Sequence, residues 1–190
     1  MTKKIAALAL AMPMEVDMRR IGRVALALGL AAVPCARADT LNVAADAQTS
    51  SAQPTTKFGL LPAMAVRQGP SGAILKSYAR FDLSALPADA AVQKAVLRLW
   101  VLAAATPGTI EVLPIVDPWE EGTITAAVSP YLGAPITSFA VDSGQTLHFI
   151  NVDITSLVQD WISGAVDNHG LALRGVEPGA VSSSTPRKAS

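Results

Sequence analysis

The sequence has 190 residues, 15 basic against 15 acidic, with 51% hydrophobic side chains and 13 each of glycine and proline; that is enough for one domain with a real core and short for two. Six basic residues (Lys3, Lys4, Arg19, Arg20, Arg23, Arg37) but only two acids (Glu15, Asp17) precede Asp39, so the remainder holds 9 basic and 13 acidic residues, a net charge of −4. A mildly acidic domain without a basic stripe cannot replace phosphate counterions, which excludes nucleic acid as a partner; the single cysteine, Cys35, also precedes Asp39 and leaves the remainder no disulfide or cysteine-based zinc site.

Residues 18–38 read MRRIGRVALALGLAAVPCARA. Arg19, Arg20 and Arg23 form a positive start, 24–33 is an apolar run, and Ala36-Arg37-Ala38 puts small residues where a signal peptidase reads them. The pattern predicts a signal peptide over 1–38, cleaved after Ala38. The apolar run is too short for a stable membrane anchor, and no membrane span is expected after it. Pro34 before Cys35 is wrong for lipid attachment. Met18 is a more natural initiator than Met1, with residues 1–17 lying ahead of the true start or extending the positive region.

Residues 39–181 read as one domain of short strands between turns. Residues 40–44 alternate, and 63–66 follow Pro62 and precede the turn Gln68-Gly69-Pro70-Ser71-Gly72. Residues 74–82 set Ile74, Lys76, Tyr78 and Arg80 on one face and Leu75, Ser77, Ala79 and Phe81 on the other. Residues 92–102 set Ala95, Leu97, Leu99 and Val101 against Val96, Arg98, Trp100 and Leu102. Residues 109–116 alternate again, Pro114 marking an edge or a bulge. Residues 123–128, 136–141, 147–152 and 171–174 follow at similar intervals. The fold class expected is all-β, a jelly-roll-like antiparallel β-sandwich.

One segment breaks that rhythm. Across 153–163, Ile154, Leu157, Val158 and Trp161 share one helix face. Asp153 or Thr155 can cap its start and Gly164 can end it, so one short helix is expected there with Trp161 in the core. Residues 182–190 are polar and patternless and read as a disordered tail.

Catalytic signals are sparse. His148 and His169 are the only histidines and lack an obvious third ligand. Adjacent Glu120 and Glu121 cannot face each other across a glycosidic bond as paired carboxylates must, and read as turn charges. No nucleophile elbow, phosphate loop or dinucleotide fingerprint occurs. The acids Asp46, Asp117 and Asp153, in carbonyl-rich loops, are the candidate ligands of a structural calcium ion. Tyr78, Trp100, Trp119 and Tyr131 could stack on a sugar ring. Trp119, between Asp117-Pro118 and Glu120-Glu121-Gly122, is expected to be the most exposed of them.

The run Arg80-Phe81-Asp82-Leu83-Ser84-Ala85-Leu86-Pro87, followed by the strand holding Ala95 to Val101, resembles the DNRLRE domain family, also classed as carbohydrate-binding module family 96. Ala45-Asp46 with Ser50 to Pro54 and Phe58-Gly59 is similar to the family's opening. Trp119-Glu120-Glu121-Gly122-Thr123-Ile124-Thr125, Asp153-Ile154-Thr155-Ser156-Leu157-Val158-Gln159-Asp160-Trp161 and Asn168-His169-Gly170-Leu171-Ala172-Leu173 are similar to its later motifs, in the same order. Two departures stand out. Ala126 occupies a position where the family has tryptophan, and residues 179–190 lack the family's closing strand, which would leave a sheet edge open.

The resemblance implies a jelly-roll accessory module of secreted or cell-surface bacterial proteins, without catalysis, some members of which bind polysaccharides such as alginate. Lys76, Tyr78, Arg80, Arg98, Trp100 and Trp119 are the candidate sugar-binding residues: aromatic faces for stacking, cations for an acidic glycan. A structural or adhesive surface domain without a sugar ligand is the alternative.

Overall fold

A computed structural model describes residues 13–19, 36–68, 73–87, 90–104 and 106–176. The element that organises them is a strand whose alternation is nearly complete. In β4 (Ala91–Val101), Ala95, Leu97, Leu99 and Val101 are wholly buried while Val96, Arg98 and Trp100 between them stay half-exposed. Period-2 chemistry has produced a half-buried strand, each buried leucine contributing roughly 1.5–3 kcal/mol.

The remaining strands in chain order are β1 (Pro13–Arg19), β2 (Ala36–Ser50), β3 (Leu75–Phe81), β5 (Gly108–Pro114), β6 (Thr137–Val141), β7 (His148–Asp153) and β8 (Leu171–Val176). All named pairs are antiparallel, in the order β6-β5-β8-β3-β2-β1-β4-β7. β2 belongs to two sheets. Its first half pairs with β1 and its second half with β3, and the register shifts between Val43 and Ala45, where a bulge lets the strand turn from one sheet into the other. The result is the expected all-β sandwich. Its core lies between the sheets and holds Ala79 and Phe81 of β3, Ile110 and Val112 of β5, and Leu171 and Leu173 of β8 beside the buried row of β4.

The helix α1 (Thr155–Ser163) adds Leu157, Val158 and Trp161 to that core, the face expected from their spacing. It is fastened to β4: the Thr155 hydroxyl accepts from the Ala95 amide at 3.0 Å, and the Gln159 side-chain amide donates to the Val92 carbonyl at 2.9 Å. Gly164 ends it with a left-handed φ of 72°, as anticipated. The cap differs from expectation. Ile154 is the N-cap and has no side-chain cap bond; Asp153, one residue earlier, instead accepts from both the amide and the hydroxyl of Thr155.

Three expected strand features are corrected. Residues 63–66 form no strand, because side chains of the sheet take their backbone groups: Gln48 accepts from the Ala65 amide and the Ser77 hydroxyl donates to the Ala65 carbonyl. Residues 123–128 form a turn closed by the Thr125 hydroxyl, which accepts from the Val128 amide. Pro114 marks no edge, since β5 lies between β6 and β8, and it is the last residue of that strand.

Residues 13–19 and 36–38, part of the expected leader, are paired in the sheet. The apolar run 24–33, the turn residues 69–72 and the tail 182–190 lie outside the described residues. Among the described residues, no helix is long and apolar enough to cross a membrane.

Candidate functional site

The outward face of β3 carries Lys76, Tyr78 and Arg80, as their alternation required. Their neighbours on β2 are small: Thr49 is opposite Lys76, Ala47 opposite Tyr78 and Ala45 opposite Arg80, while Ala172 of β8 flanks Tyr78 on the other side. Small residues leave room above the sheet. The loop over residues 115–132 fills it, and Ile115, Trp119 and Ile124 join Tyr78, Ala45, Ala47 and Ala172 in a second apolar cluster.

Trp119 is therefore the reverse of its sequence expectation. It is 5% exposed, its ring 6.0 Å from that of Tyr78 and its indole N–H donating to the His169 carbonyl at 2.8 Å. A buried tryptophan needs such an acceptor, and the turn before β8 supplies it. That turn is held by Asn168, which donates to the Phe81 carbonyl and accepts from the Gly170 amide. Gly170, at φ +89°, passes so close to β3 that a Cβ there would collide with the Ala79 carbonyl. Arg80 donates to the Trp119 carbonyl at 3.2 Å with its guanidinium 5.7 Å from the indole centroid, and so clamps the loop.

Beside this cluster lies a cavity of about 130 Å³ lined by Thr49, Ser51, Ile74, Lys76, Ala126 and Ser129. Lys76 is half-buried and makes no ion pair among the described residues. Burial holds its pKa below the ordinary lysine value, and the positive charge of Arg174 lowers it further. Arg174 itself is paired with Glu111 at 2.6 Å. The Tyr78 hydroxyl is buried between Thr49 and Ser129 without a well-formed hydrogen bond among the described residues; burial raises its pKa against the opposing pull of those two hydroxyls. A cation without an ion pair among the described residues, set among three hydroxyls, suits an anionic oxygen group. A wider groove of about 530 Å³, lined by Asp117, Glu120 and Thr125 among others, meets the cavity at Ser129.

The family model of carbohydrate-binding module family 96 matches residues 37–187. The chain belongs to carbohydrate-binding module family 96. No curated protein matched in a second comparison. For a module of this family, the six candidate residues divide between two surfaces. Lys76, Tyr78, Arg80 and Trp119 gather on the outward side of β3, where Tyr78 and Trp119 are buried in the second cluster, Arg80 holds the Trp119 carbonyl and Lys76 faces the cavity. Arg98 and Trp100 lie on the outward side of β4, in the other sheet. There the Arg98 guanidinium sits 3.9 Å above the ring of Phe149, and Trp100 meets that ring edge-on at 4.7 Å.

Phe149, 44% exposed, escaped the sequence reading, although its place opposite Trp100 follows from pairing β4 with β7. Thr49, Ser51 and Ser129 escaped it too, because loop and edge hydroxyls carry no periodic signal. The three candidate calcium acids stay apart in their bonding. The Asp46 backbone amide donates to Glu121, Asp117 accepts from the Tyr131 amide, and Asp153 binds Thr155. Among the described residues no three histidine, cysteine, aspartate or glutamate side chains group as a metal site. Asp46 has its pKa raised, by burial first and by the nearby Glu121 charge second.

Proposed function

We propose that this domain is a secreted, non-catalytic polysaccharide-binding module whose ligand is an acidic glycan such as alginate, with the Lys76 cavity holding a uronate carboxylate. The observation that carries this reading is a half-buried lysine with no carboxylate partner among the described residues, set among the hydroxyl-bearing Thr49, Ser51 and Ser129. Desolvation has already been imposed on Lys76, so a carboxylate entering the cavity gains a charge-assisted bond without stripping a fully hydrated ammonium. The family supports an extracellular setting.

Native electrophoresis of the protein in gels containing alginate, pectin, xylan or no polysaccharide tests it. Retardation by the two polyuronates and not by xylan is expected. Lys76→Ala should weaken retention by roughly ten- to a hundredfold, the worth of about 1.5–3 kcal/mol for a bond to a charged group. Arg98→Ala reports on the other sheet and should leave retention unchanged. Equal losses in both variants would place the ligand elsewhere, and a compact band that ignores every polymer would favour the structural or adhesive role.

A further inference from the structure

β1 is an interior strand. On one side it runs antiparallel to β2, from Pro13 opposite Asn42 to Arg19 opposite Ala36; on the other it runs antiparallel to β4, from Met14 opposite Leu97 to Arg19 opposite Ala91. Without it, β2 and β4 would flank a gap of two strand spacings, about 9.5 Å. Unpaired backbone donors and acceptors would line both sides of that gap, beside the core residues Leu41, Ala95 and Leu97. The occupying sequence has the right alternation. Met14, Val16 and Met18 take the register positions opposite Leu97, Ala95 and Val92, which are buried, while Glu15 and Asp17 fall opposite Val96 and Lys94.

The same strand overlaps the expected export leader. The expected cut after Ala38 falls inside the β2 ladder, between the residues opposite Asp17 and Val16. A chain cut there would lose β1 and the first three residues of β2, while keeping both walls of the gap from Asp39 and Ala91 onward.

We infer that the gap between β2 and β4 is a strand-acceptor site: Pro13–Arg19 occupies it in the full chain, and the same segment supplied separately occupies it when the covalent strand is disabled. Recognition is strand addition, with the ladder giving affinity and alternate apolar positions fixing register.

The test uses the full chain carrying Val16→Pro, which deletes a ladder donor from a strand paired on both sides. Amide exchange at residues 39–42 and 92–97 is followed by mass spectrometry. Exchange there should accelerate roughly tenfold or more relative to the unaltered chain. A synthetic peptide of residues 12–20 should reverse the acceleration, whereas a peptide of the same composition in scrambled order should not. If V16P does not fold alone, the peptide is added during refolding, and the milder Val16→Ala carries the exchange measurement in the same direction. Unchanged exchange in both variants, or acceleration that the peptide does not reverse, would overturn the inference.

Discussion

Tyr78 is the residue in which structure and site meet. Its ring anchors the loop through Trp119, yet its hydroxyl is buried between Thr49 and Ser129 without a well-formed bond among the described residues. An unpaired buried hydroxyl costs about 1–3 kcal/mol. Tyr78→Phe should therefore stabilise the domain by about 1 kcal/mol, a rise of roughly 2–4 °C in Tm for a domain of this size, read by calorimetry. A fall in Tm would mean that the hydroxyl is bonded through the cavity and belongs to the binding surface. Ala126 poses the complementary question. It lines the cavity at a position where the family pattern has tryptophan, so Ala126→Trp should fill the space beside Lys76. Retention in polyuronate gels should drop as far as in Lys76→Ala while Tm holds or rises; undiminished retention would show that the cavity is not used. At this scale the sequence was informative about Lys76, because β alternation alone put it outward beside Tyr78 and Arg80. It was misleading about Trp119, whose flanking acids and proline suggest a turn in water. The partners that bury it, Tyr78 and the His169 carbonyl, lie far away along the chain.

At the scale of elements, legibility followed hydropathy contrast. β4 was readable because, from Ala95 to Val101, every second residue enters the core and the others do not. The second half of β2, Ala45-Asp46-Ala47-Gln48-Thr49-Ser50, was not readable, because one side faces the covering loop with alanines and the other spends Gln48 on the backbone of residue 65. Small and polar residues are the right choice there, and they carry no period-2 signal. The helix was readable through its apolar face, but its start depends on an aspartate one residue before the N-cap. Asp153 has its pKa held below 3.8, first by the hydrogen bond from the Thr155 hydroxyl and then by that from the Thr155 amide. The folded state thus binds this proton less readily than the unfolded chain. The stabilisation is present above the ordinary carboxylate value and is lost as pH falls through the lower folded value. Asp153→Ala should cost about 0.5 kcal/mol at neutral pH, the low end for a side chain that accepts hydrogen bonds at a helix start, because the carboxylate is solvent-screened. Denaturant unfolding of both proteins should show that difference shrinking toward zero in strong acid. A difference that persists there would assign the effect to backbone conformation instead of the charged bond.

For the whole molecule, net charge and local charge oppose each other. Residues 39–190 carry −4 overall, so an acidic polymer approaching this part of the chain is repelled at long range, while the Lys76 cavity offers a local attraction. Salt acts unequally on the two. The Debye length shortens from about 30 Å at 0.01 M to about 8 Å at 0.15 M ionic strength, which removes most of the diffuse repulsion. The contact inside the cavity is made at hydrogen-bond distance in a partly desolvated setting and is screened much less. Binding of a short uronate oligomer, measured by isothermal titration, should therefore hold steady or tighten as salt rises from about 0.01 M to about 0.15 M. A surface that binds polyanions through scattered lysines and arginines would weaken steeply over the same range, because each exposed contact is screened. Loss of tenfold or more in affinity would thus count against a single recessed cation and for diffuse attraction, in which case the exposed Arg98–Phe149 face becomes the better candidate. Steady affinity that also disappears in Lys76→Ala would tie recognition to one half-buried charge on a domain of net negative charge, and selectivity among acidic glycans would then rest on which carboxylate spacing reaches past Ser129.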